Sequence, residues 1–411
     1  MNDTILDKAR QVFQLLEAEP ACSGQAGHVK GLIDKLESRE LTVSIIGQFK
    51  RGKSTLANEI LQDKILPVGI VPVTSVVTKV VYGERYATVR YENGRVEPVE
   101  FDRLSSFISE QENKNNILGV EEVVLHTPSS FLQNGLTFVD TPGVGSFHQN
   151  NTETAYHYMK ESDAVVFLLS VDSPINQIEI DFLQNTREFA GRFYFAVNKA
   201  DLVDEADLAA YLDYCRTLLC QLMETEDIKL FPVSAKTGAG IPALKEQIAQ
   251  DLDTSIKEIL AVSTEKKLKD TIISALTQLD FYWKAMNMPY PELDTRFAAV
   301  TDTIAELREK ATSCNGLFEF RLNEMKLELS DKIRELFGME YHYDIEQLPA
   351  GLITMDKDEF LRQTEALYEN LLDSLNQVLL YREENAYAVV RRINNINRLT
   401  RQLRKIRDEL A

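Results

Sequence analysis

Positive charge, cysteine and long apolar runs are what this chain of 411 residues has least of. Asp and Glu total 64 against 45 Lys and Arg, a formal net charge of −19. A balance this acidic excludes a general binder of nucleic acid, so no nucleic-acid partner is expected, and contact with anionic lipid needs a local basic patch. The four cysteines, Cys22, Cys215, Cys220 and Cys314, form no C-x-x-C pair and no zinc spacing, which excludes a disulfide framework and a cysteine zinc site. They read as reduced thiols of a cytoplasmic protein. No apolar run approaches the ~18 residues of a membrane span, and the opening MNDTILDKAR lacks a signal-peptide core. Contents of 44% hydrophobic and 27% charged residues are globular values, and the length exceeds one ordinary domain.

What is present begins with Gly47-Gln48-Phe49-Lys50-Arg51-Gly52-Lys53-Ser54, a full match to G-x-x-x-x-G-K-[ST]. It lies between an apolar run, 41–46, and a helix-like run, 54–62. In that setting the N–H groups of the loop, from Gly47 through Gln48, Lys50, Arg51 and Gly52 to Thr55, are expected to wrap phosphates. Lys53 would reach the β- and γ-phosphates and the Ser54 hydroxyl would bind Mg²⁺.

Around this loop the texture changes twice. Residues 3–38 carry Ile5, Ala9, Val12 and Leu16, then Val29, Leu32, Ile33 and Leu36, at helical spacing, interrupted by Pro20 and the Gly24–Gly27 stretch. From 40 to 252 short β-rich runs alternate with amphipathic ones. Strands are expected at 41–46, 76–82, 87–92, 121–126, 136–140, 164–170, 192–197 and 229–233. Helices are expected at 150–161, 176–188, 205–222 and 241–253. Several strands are apolar throughout, as strands buried on both faces must be, so the class is α/β with a mostly parallel sheet. After 253 the strands stop. A single helix is expected over 292–337, about 70 Å long at 1.5 Å per residue, with Gly338 as its C-cap, then another over 357–409. The expected organisation is an N-terminal helix (1–39) packing with an elongated all-α bundle or stalk (253–411), and a P-loop domain (40–252) between them.

Two later motifs sharpen the chemistry. The run 135–139 ends in Asp140-Thr141-Pro142-Gly143, which would place the Asp140 carboxylate near Mg²⁺ and the Gly143 N–H near the γ-phosphate. The run 193–197 ends in Asn198-Lys199-Ala200-Asp201. Asp201 is suited to accept both N1–H and the exocyclic amine of guanine, while adenine would leave that carboxylate unpaired. Lys199 would lay its stem over the base and Asn198 would brace the loop. Ser234-Ala235-Lys236 would offer backbone N–H groups to guanine O6. Together these select GTP and GDP over adenine nucleotides.

The P-loop with Thr55-Leu56, the stretches 66–69 and 72–75, Asp140–Gly143 and Asn198–Asp201 together resemble the bacterial dynamin-like GTPases. The resemblance covers residues 40–250 by motif, and beyond them only by architecture. It implies GTP hydrolysis, nucleotide-dependent pairing of the GTPase head with itself or with a paralogous dynamin-like chain, coupled to stalk movement, and membrane remodelling or binding through peripheral contact on the inner face. By this likeness Thr74 is the switch threonine, on Mg²⁺ and the γ-phosphate, with Ser75 and Thr78 as nearby competitors. The position that positions water in Ras-like proteins is Val144, which cannot do so. In dynamins a P-loop polar residue takes that role with a monovalent cation (K⁺ or Na⁺) and the partner subunit. Gln48 is the candidate here, and Lys50, with Arg51 beside it, stands where relatives carry an internal arginine finger; shaping the loop is the competing role for all three.

Two readings compete with this one, a regulatory GTPase of the RNA- or ribosome-associated kind and a scaffold that pairs with another dynamin-like chain. A basic module is missing for the first. Aromatic residues at 281–290 and the arginines of 391–407 would suit a membrane contact, but bundle core plus a solvated face is the preferred reading.

Overall fold

The structure, a computed structural model, describes residues 2–68, 76–91, 94–109, 112–113, 116, 118–133, 135–141, 159, 161–187, 189–314, 316, 318–339, 357–383 and 386–410. In chain order these form α1 (Asn2–Glu17), α2 (Ser23–Ser38), β1 (Leu41–Gly47), α3 (Lys53–Leu61), β2 (Val77–Tyr82), β3 (Tyr86–Tyr91) and β4 (Val96–Pro98). There follow α4 (Ser105–Ile108), β5 (Val120–Thr127), β6 (Leu136–Asp140), β7 (Ala164–Ser170), α5 (Gln177–Thr186), β8 (Arg192–Asn198), α6 (Glu205–Met223) and β9 (Leu230–Pro232). The rest is helical: α7 (Ile241–Asn287), α8 (Tyr290–Ser313), α9 (Phe318–Phe337), α10 (Lys357–Glu383) and α11 (Ala386–Glu409). The chain divides into two compact units, one of Asp34–Lys266 and one of Asp3–Ile33 with Lys267–Ala411.

The first unit is built on a nine-stranded sheet in the order β4-β3-β5-β2-β6-β1-β7-β8-β9. Strands β6, β1, β7, β8 and β9 are parallel. Strand β2 runs antiparallel to β6 and parallel to β5, and β3 pairs antiparallel with β5 and β4. Every residue of β1 and of β7 is buried, which explains why both read as apolar runs without alternation. Because β6, β1, β7 and β8 run the same way, the residues that follow them collect along one sheet edge. Crevices at the carboxyl ends of parallel strands are where such folds bind ligands.

The second unit is all helix. Phe337 of α9 lies against Phe281 and Phe297, with ring centroids 5.5 and 6.1 Å apart, and Phe318 lies 5.2 Å from Phe360. Helix α2 contributes His28, whose Nδ1 is 2.8 Å from Thr271 Oγ1, and Gln25, which donates to Gln278 Oε1 at 2.9 Å. Glu19, after α1, accepts from Tyr381 at 3.4 Å and faces Arg392 at 3.7 Å.

Sequence and structure part company at three places. The continuous helix expected over 292–337 is two, α8 and α9, because Cys314 leaves helical geometry (φ −68°, ψ 139°) and Gly316 turns at φ +77°. The run expected over 357–409 is helical wherever it is described, as α10 and α11, and residues 384–385 lie outside the described residues. The helix expected at 241–253 continues without a break to Asn287. Strand β4 was not expected. Gly338 does close α9, with φ +64° and its N–H on Arg334 O at 2.9 Å. Phe281, Tyr282 and Met286 are buried, as bundle core requires, while Trp283 and Tyr290 are exposed. The helix expected at 150–161 lies almost wholly outside the described residues. Among those residues, no helix is long and apolar enough to cross a membrane.

Candidate functional site

Gly47 ends β1 in register with Leu168 of β7, and a Cβ there would stand 2.6 Å from the Leu168 carbonyl oxygen. Only glycine permits that strand spacing. The loop then turns through Lys50 at φ +66° and Gly52 at φ +95°, and a Cβ on Gly52 would meet Asn198 Nδ2 at 2.6 Å. Helix α3 starts at once, with Leu56 N–H on Gly52 O at 2.9 Å, so its first-turn N–H groups face the loop instead of a preceding turn. Lys53 is buried beneath the loop and donates from Nζ to Gly47 O (3.0 Å) and Gln48 O (3.4 Å). Burial pulls its pKa down to about 8, against the opposing charge of Asp140. Thr55 is half-buried in the first turn of α3.

Beside Lys53, Ser54 Oγ donates to Asp140 Oδ2 at 2.7 Å. Asp140 Oδ1 is buried and has no hydrogen-bond partner among the described residues. Burial pushes this carboxyl up to about 6, with the Ser54 hydrogen bond and the Lys53 charge opposing the rise. One hydroxyl and one half-satisfied carboxylate make a hard-oxygen donor set with few protein ligands. Mg²⁺, which keeps several of its waters, fits that set. Thr74 and Gly143, and with them Val144, lie outside the described residues.

On the other flank one side chain ties three segments together. Asn198 donates from Nδ2 to Arg51 O at 2.8 Å and accepts at Oδ1 from the Ala235 N–H at 2.9 Å. Lys199 takes the left-handed conformation (φ +62°) and its Nζ bonds Asp172 Oδ2 at 2.6 Å. Asp201 is exposed and accepts from Ser234 Oγ at 2.6 Å, leaving carboxylate capacity toward solvent. Ser234 N–H bonds Ala239 O at 2.9 Å, while Lys236 is exposed.

The variable P-loop residues are placed very differently from one another. Arg51 is 3% exposed and its guanidinium is fully occupied. Nε and Nη2 bind Glu179 at 3.0 and 2.8 Å, Nη1 binds Ser173 O at 2.8 Å, and Nη2 also reaches Pro174 O at 3.3 Å. These contacts make Arg51 an anchor between the loop and α5, which is the loop-shaping role that competed with a finger role at this loop. Gln48 accepts at Oε1 from Asn176 Nδ2 at 2.8 Å, and Asn176 is the N-cap of α5 in a capping box with Glu179. Lys50 is exposed, its Nζ 5.4 Å from the Phe49 ring centroid. Asn176 and Glu179 escaped the sequence reading. The N-x-x-E pattern ahead of an apolar run was the available signal.

The family model for the dynamin family matches residues 43–201. A protein encoded in the xynA 3′ region of Caldicellulosiruptor sp. (strain Rt8B.4) is 30% identical over 326 residues, covering 76% of this chain and 80% of that one. The chain belongs to the dynamin family. Within that family it is 24% identical over 351 residues to the bacterial dynamin-like protein of Nostoc punctiforme, covering 78% of this chain but 46% of that one. A solved chain from an oligomerised bacterial dynamin pair, described as sensing and tethering membranes, aligns with 98% of this dynamin-family chain and 79% of its own length. Its sequence identity is 16% and the TM-score 0.45. The residues matched by the dynamin family model all lie within the P-loop unit, and the helical unit lies outside the match.

Proposed function

We propose that the chain binds GTP with Mg²⁺ and hydrolyses it to GDP and phosphate, pairing its GTPase units in the GTP state and passing the change to its helical unit. The observation that carries this reading is Asn198, whose one amide holds the P-loop at Arg51 O and the base loop at Ala235 N. Phosphate and guanine recognition are thereby locked in one frame. Lys53 would leave the loop carbonyls for the β- and γ-phosphate oxygens, while Ser54, Asp140 and the switch residue Thr74 would hold Mg²⁺. The bound cation would neutralise charge developing on the transferring phosphoryl group. Asp201 would accept the two guanine donors. The Ser234 and Ala235 N–H groups already serve Ala239 O and Asn198 Oδ1, so the Lys236 N–H is the donor we assign to guanine O6. Asp201→Ala should weaken GTP binding by about 100-fold, since two hydrogen bonds to a charged acceptor are lost, and leave ATP binding unchanged. Competition binding with both nucleotides measures this. An unaltered GTP-to-ATP ratio would refute the guanine assignment.

Catalysis within one chain is incomplete in this reading. Gln48 is held by Asn176, and Lys50 is the exposed loop cation. A face-to-face partner, itself or a paralogous chain, together with K⁺ or Na⁺, would complete the water-positioning geometry. Helix α11 carries exposed Arg391, Arg398, Arg401, Arg404 and Lys405, which support peripheral contact with anionic lipid. One assay covers both points, specific GTPase activity against protein concentration with and without anionic liposomes. Activity per molecule should climb with concentration and climb further on liposomes. A flat response in both series counts against pairing and membrane contact alike.

A further inference from the structure

Thr78 lies in β2, fully buried like Val77 and Val80 of the same strand, and its Oγ1 has no hydrogen-bond partner among the described residues. Its neighbour across the antiparallel ladder is Asp140, the residue whose Oδ1 is likewise buried and unpaired. Directly opposed residues on such a ladder share a face of the sheet, with Cβ atoms about 4.5–5.5 Å apart. A hydroxyl buried without a partner is destabilising, and valine would fill the same space in this strand without that cost. Two orphaned polar atoms on facing residues are therefore not incidental to the packing. The direct bond between them is not formed, and one water molecule between two such facing polar atoms is the bridge that would satisfy both.

We propose that Thr78 is a positioning residue of the magnesium site, its hydroxyl holding Asp140 Oδ1 through one water so that the carboxylate stays turned toward Ser54. The inference rests on the assignment of Ser54 and Asp140 to Mg²⁺ made above. It gives the carboxylate two supports on opposite sides. Ser54 holds Oδ2 directly, and Thr78 holds Oδ1 from the neighbouring strand. Partners behind a near-metal carboxylate commonly set metal affinity by 10- to 100-fold, without touching the metal. Thr78, one of the competitors for the switch position, is fixed inside β2.

The test is the Mg²⁺ dependence of release of a fluorescent GDP analogue, followed by stopped flow in the full chain. Thr78→Val should raise the Mg²⁺ concentration for half-maximal slowing of release about tenfold, with release in EDTA and the thermal midpoint unchanged. Thr78→Ser, which keeps the hydroxyl, should restore the wild-type midpoint. Ser54→Ala serves as the control for the underlying assignment. A wild-type Mg²⁺ midpoint in Thr78→Val alongside a shifted one in Ser54→Ala overturns the Thr78 role and leaves the Ser54–Asp140 assignment standing. Midpoints unmoved in both variants overturn both. A shift that Thr78→Ser fails to reverse belongs to side-chain shape, and overturns the hydroxyl's role.

Discussion

Lys53→Ala is expected to lower affinity for GTP and GDP by roughly two to three orders of magnitude, the loss of about two charge-assisted hydrogen bonds. The prediction follows from what the ammonium does in the structure. It is buried, it is held by two loop carbonyls, and burial pulls its pKa down to about 8. Such a charge is poorly solvated, so phosphate oxygens gain more from it than they would from an exposed lysine. The linkage has a definite sign. With the folded pKa below the ordinary 10.5, the unfolded chain holds the extra proton between about 8 and 10.5, and stability from this residue rises with pH across that window. Removing the side chain should flatten that rise. Isothermal titration with GDP and pH-dependent thermal unfolding read the two effects separately. Wild-type affinity in the variant would end the assignment of 47–54 as the phosphate loop.

Glu179→Ala is the second large effect. It should destabilise the P-loop unit by about 3–5 kcal/mol, because it leaves the Arg51 guanidinium buried without its counter-charge. In a unit of this size that corresponds to a fall in Tm of roughly 10 °C. Glu179→Gln preserves shape and one acceptor and should lose less. The variants also couple stability to function: the loop is fastened to α5 at both Gln48 and Arg51, so nucleotide affinity should fall along with Tm. A Glu179→Ala protein that melts with the wild type would mean that the carbonyls of Ser173 and Pro174 satisfy Arg51 alone.

The legible part of the molecule was the part whose physics is local. Strands buried on both faces, such as Ala164–Ser170, announce themselves as apolar runs, and G-x-x-x-x-G-K-S and N-K-x-D are contiguous chemical patterns. Strand β4 escaped because Val96-Glu97-Pro98 is only three residues long and ends in proline. The break between α8 and α9 escaped because Ala311, Cys314 and Phe318 keep helical steps straight through it, and periodicity does not see a backbone turn at Gly316. The role of Arg51 was illegible for another reason. Its partner is 128 residues away, and no rule of spacing joins a loop arginine to the N3 glutamate of a distant helix. The same holds for Thr78, whose meaning depends on which strand lies beside β2.

The helical unit is assembled from both sides of the nucleotide-binding unit in sequence: Glu19 meets Tyr381, 362 residues later, and Lys8 meets the Glu409 carbonyl. On the ribosome this imposes an order of events. Helices α1 and α2 emerge early with apolar faces, including Val12, Leu16 and Val29, that are completely buried in the finished protein. At roughly 5–20 residues per second their partners arrive some tens of seconds later. In that interval the whole P-loop unit has been synthesised and is able to fold. Helix α2 then meets Thr271 and Gln278 as soon as α7 is made, whereas Lys8 of α1 waits for Glu409, so the hazard of aggregation lies with α1 and the length of its wait.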